Sequence, residues 1–277
     1  MNVQVLGCSH HDASIALRER LVFSAEQARR ALGCLRSEFP RVESVLLSTC
    51  NRMELYTATQ SADALSGRQL AEFLGRFHHV DPAQILRHAC QRAGAEAIRH
   101  LFLVASSLDS MVAGEPQILA QVKRAYRLAT QQSAAGPLTR AAFQAALRVS
   151  RRVSNETTIH LACQRSRRER EKELPKALRI IDLETQSFLA QWEHRAVSPV
   201  VRQLRESWHE VKQGEVERLF HKLPELDEQA RVEVCEAFDR FVNKLLHPPV
   251  ESLRGQSRFG KPHPLLEAAS RLFRVKD

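Results

Sequence analysis

Two kinds of hydrophobic spacing divide this chain, and the point where one replaces the other limits its possible folds. Up to about residue 95, short apolar runs such as Val3-Gln4-Val5-Leu6 and Val45-Leu46-Leu47 alternate with helical patterns, which indicates alternating strands and helices. Beyond residue 95 the chain turns helical, and after Pro175 the pattern is helical throughout. The sequence therefore predicts an α+β (or compact α/β) domain followed by an all-α domain.

Capping residues and prolines predict where several helices begin and end. Ser24 starts a capping box, and Pro137 opens a helix that ends near residue 157. Ser198-Pro199 has the N-cap and first-turn pattern of a further helix, and Asp227 caps a last long helix that Pro248-Pro249 stops. On that last helix four apolar residues are expected to face inward: Val234, Phe238, Phe241 and Leu245. Amphipathic helices of this kind, without a polar cluster, suit an association module.

One cysteine stands between two strand-like runs. Cys50 follows Val45-Leu46-Leu47 and precedes the alternating Met53, Leu55 and Thr57, so it lies at a strand end or on a tight loop, where a side chain can be exposed and still be held rigidly. Arg52 would favour the thiolate, which is the form of cysteine that attacks carbonyl groups. The alternative is a buried, inert cysteine beside a surface arginine.

The positive charge of the chain is concentrated in one region. The net charge is +9, which suggests a polyanionic partner. From residue 116 to residue 155 there is no acidic residue but seven basic ones: Lys123, Arg124, Arg127, Arg140, Arg148, Arg151 and Arg152. This stretch is either a surface that contacts phosphates or a set of solvated helix faces.

The cysteine and histidine patterns predict no metal site. The six cysteines are scattered without a C-x-x-C pair. The pairs His10-His11 and His78-His79 lack the i,i+4 spacing and cysteine neighbours of a zinc site. Because neither an N-terminal apolar segment nor a run of 18 apolar residues is found, we expect a cytoplasmic protein whose cysteines stay reduced.

Four separated segments, in one order, resemble glutamyl-tRNA reductase, the first committed enzyme of the five-carbon route to tetrapyrroles. They are residues 7–13, 48–56, 100–123 and 241–248, and the likeness covers about residues 1–158 and 176–255. The resemblance implies glutamyl-tRNA as substrate, NADPH as cofactor and a homodimer formed by the C-terminal helices. It also suggests the downstream aminomutase of the pathway as a partner, and it favours RNA contact for the basic stretch.

The nucleotide-binding domain of that family has no counterpart here. No two of the ten glycines form G-x-G, the pattern that places backbone amides against a pyrophosphate. Only 18 residues lie between Glu156 and Pro175, whereas one βαβ unit needs roughly 30. We therefore expect a catalytic and glutamyl-tRNA-recognition domain at 1–158, a charged join at 159–175, a helical dimerisation domain at 176–277, and no Rossmann domain.

The resemblance also assigns residues to roles. Cys50 is implied as the nucleophile, and His100 as the group that polarises the carbonyl or manages the proton. Arg52 would bind the side-chain carboxylate of the glutamyl group, and Glu115 would bind its α-ammonium group unless it is only an acidic residue at a helix start. The remaining substrate-binding residues implied are Thr49, Asn51, Ser110, Pro116, Gln117 and Gln121.

These observations predict an enzyme of the glutamyl-tRNA reductase type that forms a Cys50 thioester. With no recognisable NADPH site, we expect hydrolysis of the thioester in place of its reduction to glutamate-1-semialdehyde. Two alternatives stay open. The chain could be a non-catalytic module that binds glutamyl-tRNA or pairs with a complete reductase, or it could be an inactive deletion derivative.

Overall fold

The structure is a computed structural model that describes residues 2–59, 64–110, 117–159 and 167–256. Contacts divide the chain into two units, Met1–Phe188 and Leu189–Asp277. The first unit contains, in chain order, β1 (Asn2–Ser9), α1 (Ile15–Leu21), α2 (Ala25–Glu38), β2 (Glu43–Ser48), β3 (Arg52–Thr59), α3 (Gly67–His78), α4 (Pro82–His88), β4 (Cys90–Ala93), α5 (Ala95–Ala105), α6 (Gln117–Gln131) and α7 (Pro137–Glu156). The helix α8 (Arg167–Lys222) starts in the first unit and ends in the second, where α9 (Glu228–Gln256) follows.

The four strands form one sheet in the order β2-β3-β1-β4. Every neighbouring pair is antiparallel: Gly7 on β1 lies opposite Glu54 on β3, and Leu46 on β2 lies opposite Leu55. Because an antiparallel sheet with separate helices defines the α+β class, the predicted α+β domain followed by a helical region is confirmed.

The centre of the first unit is the strand β3, whose eight residues are all buried. Tyr56 on this strand packs its ring edge-on against Phe143 of α7, with 5.4 Å between the ring centroids. On α5, four residues that share one face of the helix are buried together: Ile98, Leu101, Phe102 and Ala105. Aromatic and aliphatic side chains from α5 and α7 therefore cover one side of the sheet.

Local capping positions the helices around this sheet. Ser24 forms the predicted capping box at the start of α2, and the N-cap role of Asp227 is also confirmed, since its carboxylate accepts a hydrogen bond from the Ala230 amide. At α7, Glu43 of β2 accepts hydrogen bonds from the amides of Leu138 and Thr139. A carboxylate at a helix N-terminus satisfies free amides and complements the helix dipole, so this contact ties α7 to the sheet.

Two predicted helix ends are wrong. The helix α8 continues through Pro175 and through Ser198-Pro199, where we expected a new start, and α9 continues through Pro248-Pro249, where we expected a stop. A proline removes one amide donor from a helix at a cost of about 3 kcal/mol. In helices of 56 and 29 residues, the turns on both sides of each proline supply many other hydrogen bonds.

The inward face predicted for α9 is wrong for two of its four residues, since Val234 and Phe238 are half-buried but Phe241 and Leu245 are exposed. Phe241 is 60% exposed and Leu245 is 44% exposed, whereas their neighbours Val242 and Leu246 are buried. Apolar residues thus occupy two adjacent faces of α9, and the chain itself covers one of them. Among the described residues, no helix combines the length and the apolar character that crossing a membrane requires.

Candidate functional site

Cys50 is exposed and lies on the short loop between β2 and β3. Side chains fix the backbone of this loop from two sides. Thr49 Oγ1 accepts hydrogen bonds from the amides of Asn51 and Arg52, each at 3.1 Å. The guanidinium of Arg18 donates to the carbonyl oxygen of Cys50 at 3.3 Å and to Asn51 Oδ1 at 3.4 Å. The thiol is therefore open to solvent on a backbone that hydrogen bonds hold in place, as the sequence predicts.

Most of the predicted site residues surround this thiol. One cleft of the first unit is lined by Cys50 together with His10, Thr49, Asn51, Arg52, Ser110, Gln117, Ile118 and Gln121. Six of the predicted substrate-binding residues thus share a cleft with the predicted nucleophile. Glu115 and Pro116 lie outside the described residues.

Arg52 is buried rather than free. Its Nη1 lies 2.8 Å from Glu54 Oε1 and 2.9 Å from Asp109 Oδ2, and its Nη2 donates to the backbone oxygen of Asp109. Burial acts to lower the pKa of Arg52, but the two carboxylates outweigh it and raise that pKa. Arg52 consequently links the Cys50 loop, the strand β3 and the segment after α5 by fixed, charge-assisted hydrogen bonds.

Glu54 is the centre of this charged cluster. Its Oε1 lies 2.9 Å from His100 Nε2, and its Oε2 accepts a hydrogen bond of 2.8 Å from the Tyr56 hydroxyl. Burial acts to raise the pKa of Glu54, but His100, Arg52 and Tyr56 together lower it to about 2, so Glu54 is ionised at neutral pH. Burial and the Glu54 charge raise the pKa of Tyr56, which keeps its hydroxyl protonated as a donor.

His100 does not line the Cys50 cleft. It lines a neighbouring cleft with His11, Asp12 and Asp109, and it is linked to the Cys50 loop through Glu54 and Arg52. The ligand atoms of Glu54, His100 and Asp109 also lie within 4.8 Å of one another, as they would around a metal ion. However, the Arg52 guanidinium bridges the two carboxylates, and it already supplies the positive charge that a metal would bring.

His10 is a cleft residue that sequence reasoning missed. It stands beside Cys50 in the same cleft, and its amide donates to the Asn51 carbonyl at 3.1 Å. Its buried Nδ1 has no hydrogen-bond partner in the described part of the chain. Burial, then the neighbouring His11 and Arg52, lower the pKa of His10, which favours the neutral imidazole. The signal was available, because His10 belongs to the opening segment 7–13 that carries the resemblance.

Comparison with protein families accounts for both parts of the chain. The model described as "Glutamyl-tRNAGlu reductase, N-terminal domain" matches residues 6–157, which include the whole Cys50 cleft. The chain belongs to the glutamyl-tRNA reductase family. The model of the family's dimerisation domain matches residues 176–275.

Individual members of the glutamyl-tRNA reductase family match in two ways. The glutamyl-tRNA reductase of Rhodopirellula baltica is 30% identical over 99% of both chains. That alignment is 422 positions long against 277 residues here, so the relative contains a long segment without a counterpart. The enzymes of Syntrophotalea carbinolica and Rubrobacter xylanophilus are 44% and 45% identical over 57% of this chain, but the matches span only 36% and 37% of those relatives.

A solved member of the glutamyl-tRNA reductase family has the same fold. "Glutamyl-tRNA Reductase from Methanopyrus kandleri" superimposes with a TM-score of 0.62 over 98% of both chains, at 20% sequence identity. The described residues do not fit the nicotinamide nucleotide that the family implies. Their one sheet contains no parallel pair of strands, and the sequence contains no G-x-G turn to hold a pyrophosphate.

Proposed function

We propose that this chain removes the glutamyl group from glutamyl-tRNA by forming a thioester with Cys50. The thiolate attacks the ester carbonyl carbon, a carbon–sulfur bond forms, and the bond to the ribose oxygen of the tRNA breaks. The ribose oxygen leaves with the proton that the thiol has lost. His10, as a neutral imidazole in the same cleft, is suited to carry that proton.

One observation carries this proposal: an exposed cysteine on a fixed loop lines a cleft together with Thr49, Asn51, Ser110, Gln117 and Gln121. Their amide and hydroxyl groups can orient a glutamyl group by hydrogen bonds. Arg52 contributes positive charge at the cleft wall for the substrate carboxylate, while Glu54 and Asp109 fix its position. His100 acts through this charged cluster, since it contacts Glu54 and not the cleft.

The thioester is expected to be hydrolysed in this chain. Water attacks the thioester carbonyl, releases glutamate and restores the thiol. Reduction to the aldehyde requires a hydride donor, which a nucleotide-binding domain of another chain would have to supply. Residues 1–158 would then act as the catalytic and tRNA-recognition domain, 159–175 as a join, and 176–277 as the dimerisation domain of a homodimer.

The experiment uses the purified chain, radiolabelled glutamyl-tRNA and NADPH. We expect label bound covalently to the protein, released by hydroxylamine, and free glutamate as the product. The Cys50→Ser variant should lose both signals and still bind the RNA, whereas Cys34→Ser, which changes another exposed cysteine, should keep both. Full deacylation by Cys50→Ser would refute the claim that Cys50 is the nucleophile. Formation of glutamate-1-semialdehyde by the isolated chain would refute the claim that it lacks a hydride-donor site.

A further inference from the structure

A second and larger groove adjoins the Cys50 cleft in the first unit. It has a volume of about 300 Å³ and lies between α2, β2 and α6. Two residues connect it to the reactive cysteine: Gln121 lines both the groove and the cleft, and Ser48 of the groove is two positions from Cys50 along the chain. A ligand in this groove would therefore extend directly from the reacting carbonyl group.

The groove combines apolar and positively charged walls. Its apolar lining comes from Leu46, Leu47 and Ala125, which are almost fully buried, and from Leu128, which is half-buried. Arg29, Arg124 and Arg127 line it with guanidinium groups. The three arginines are exposed. None of the described residues that line the groove is acidic, and none of the ion pairs in the described part of the chain involves these arginines. The charge of the groove is consequently available to an anionic ligand.

We propose that this groove binds the unpaired 3′-terminal nucleotides of the tRNA, an inference that rests on the proposed function. The reacting ester is on the terminal ribose, so the nucleotides nearest to Cys50 are those of the single-stranded 3′ end. Arg29, Arg124 and Arg127 contact their phosphates, and the apolar wall contacts the faces of their bases.

Single-stranded RNA matches this surface better than a duplex does. Proteins bind single strands through a basic groove that follows the backbone and through non-polar surfaces that receive unstacked bases. A duplex keeps its bases stacked inside and would leave the apolar wall of the groove uncovered. The groove thus gives a role to Arg124 and Arg127 of the basic stretch at residues 116–155, whereas the arginines of α7 lie outside the groove.

The test compares two synthetic RNA hairpins, one with the unpaired 3′-terminal nucleotides of a tRNA acceptor stem and one without them. The groove variant is Arg29→Gln/Arg124→Gln/Arg127→Gln. The matched control is Arg140→Gln/Arg148→Gln/Arg151→Gln, which removes the same charge from exposed arginines of α7. Dissociation constants are measured by fluorescence anisotropy at several salt concentrations.

We expect the groove variant to bind the complete hairpin about tenfold more weakly than the unmodified chain. Its slope of log K against log salt should be shallower by about 2, since each lost phosphate contact on a single strand removes roughly 0.7. On the truncated hairpin, the groove variant and the unmodified chain should bind equally. Equal losses on both hairpins, no loss on either, or the same loss in the control variant would overturn the assignment.

Failure of this inference is distinguishable from failure of the proposed function. Covalent labelling of Cys50 by saturating glutamyl-tRNA is measured on the unmodified chain in parallel. If Cys50 is labelled but the groove variant binds both hairpins normally, only the groove assignment fails. If Cys50 is never labelled, the proposed function fails whatever the hairpins show.

Discussion

Replacing Arg52 by alanine tests whether the buried charged cluster stabilises the fold. Arg52 has a side chain that is 2% exposed and ion pairs of 2.8 and 2.9 Å with Glu54 and Asp109. Arg52→Ala leaves two carboxylates without their cation, one of them fully buried. Removing one partner from a buried ion pair costs about 3–5 kcal/mol. For a unit of this size each kcal/mol lowers the melting temperature by about 2–4 °C, so we expect a decrease of roughly 6–20 °C.

The matched control is Arg68→Ala. Arg68 forms an ion pair of similar length with Glu72, at 3.0 Å, but its side chain is 81% exposed. Because exposed pairs contribute about 0–1 kcal/mol, Arg68→Ala should lower the melting temperature by no more than a few degrees. Thermal unfolding is followed by circular dichroism at one fixed protein concentration and neutral pH. Melting temperatures of the two variants that agree within about 3 °C would refute the claim that burial makes the Arg52 cluster stabilising.

Three further predictions concern pH and packing. Because the pKa of Glu54 is lowered to about 2, its ionisation stabilises the fold fully above the ordinary pKa of 4.5 and less as the pH falls towards 2. Between pH 4.5 and pH 2 the melting temperature of Glu54→Gln should therefore fall less steeply than that of the unmodified chain. Equal slopes would contradict the prediction. Partial burial, then His79, lowers the pKa of His78 from 6.5 to about 4, so the melting temperature should decrease as the pH falls from 6.5 to 4. His78→Phe should remove part of that decrease, and an unchanged profile would argue against a half-buried neutral imidazole. Gly7→Ala would place a Cβ 2.7 Å from the Met53 carbonyl oxygen and 3.0 Å from the Glu54 Cα, so it should destabilise the chain by about 1–3 kcal/mol in urea unfolding. Gly33 lies inside α2 with open space around it, so Gly33→Ala should instead stabilise the chain by about 0.5–1 kcal/mol.

The accuracy of sequence-based reasoning depended on how local each feature is. The Ser24 capping box and the start of α7 at Pro137 depend on residues within one turn of a helix, and both were predicted. The Cys50 loop was also predictable, because apolar runs on either side define the two strands. In contrast, the tolerated prolines of α8 and α9 depend on the length and stability of the surrounding helix, which a single proline does not indicate.

The charged cluster shows a second limit. Arg52, Glu54 and Tyr56 alternate along one strand, so their common face could have been read from the spacing. The contact between Arg52 and Asp109 joins residues 57 positions apart, and no local pattern reports it. The resemblance assigned Arg52 to the substrate carboxylate, and the structure adds that two carboxylates of the protein already hold its guanidinium.

The alternation of charged and apolar residues on β3 also bears on how the sheet chooses its pairing. Arg52, Glu54 and Tyr56 point to one face of the strand, and Met53 and Leu55 point to the other. Sliding β3 by a single position against β1 would exchange these faces. It would force a guanidinium and a carboxylate into the hydrocarbon layer and bring a thioether and an isobutyl group to His100. Ionic partners within the core thus disfavour the wrong register during folding, because they raise the free energy of the mispaired sheet far more than aliphatic residues at the same positions would.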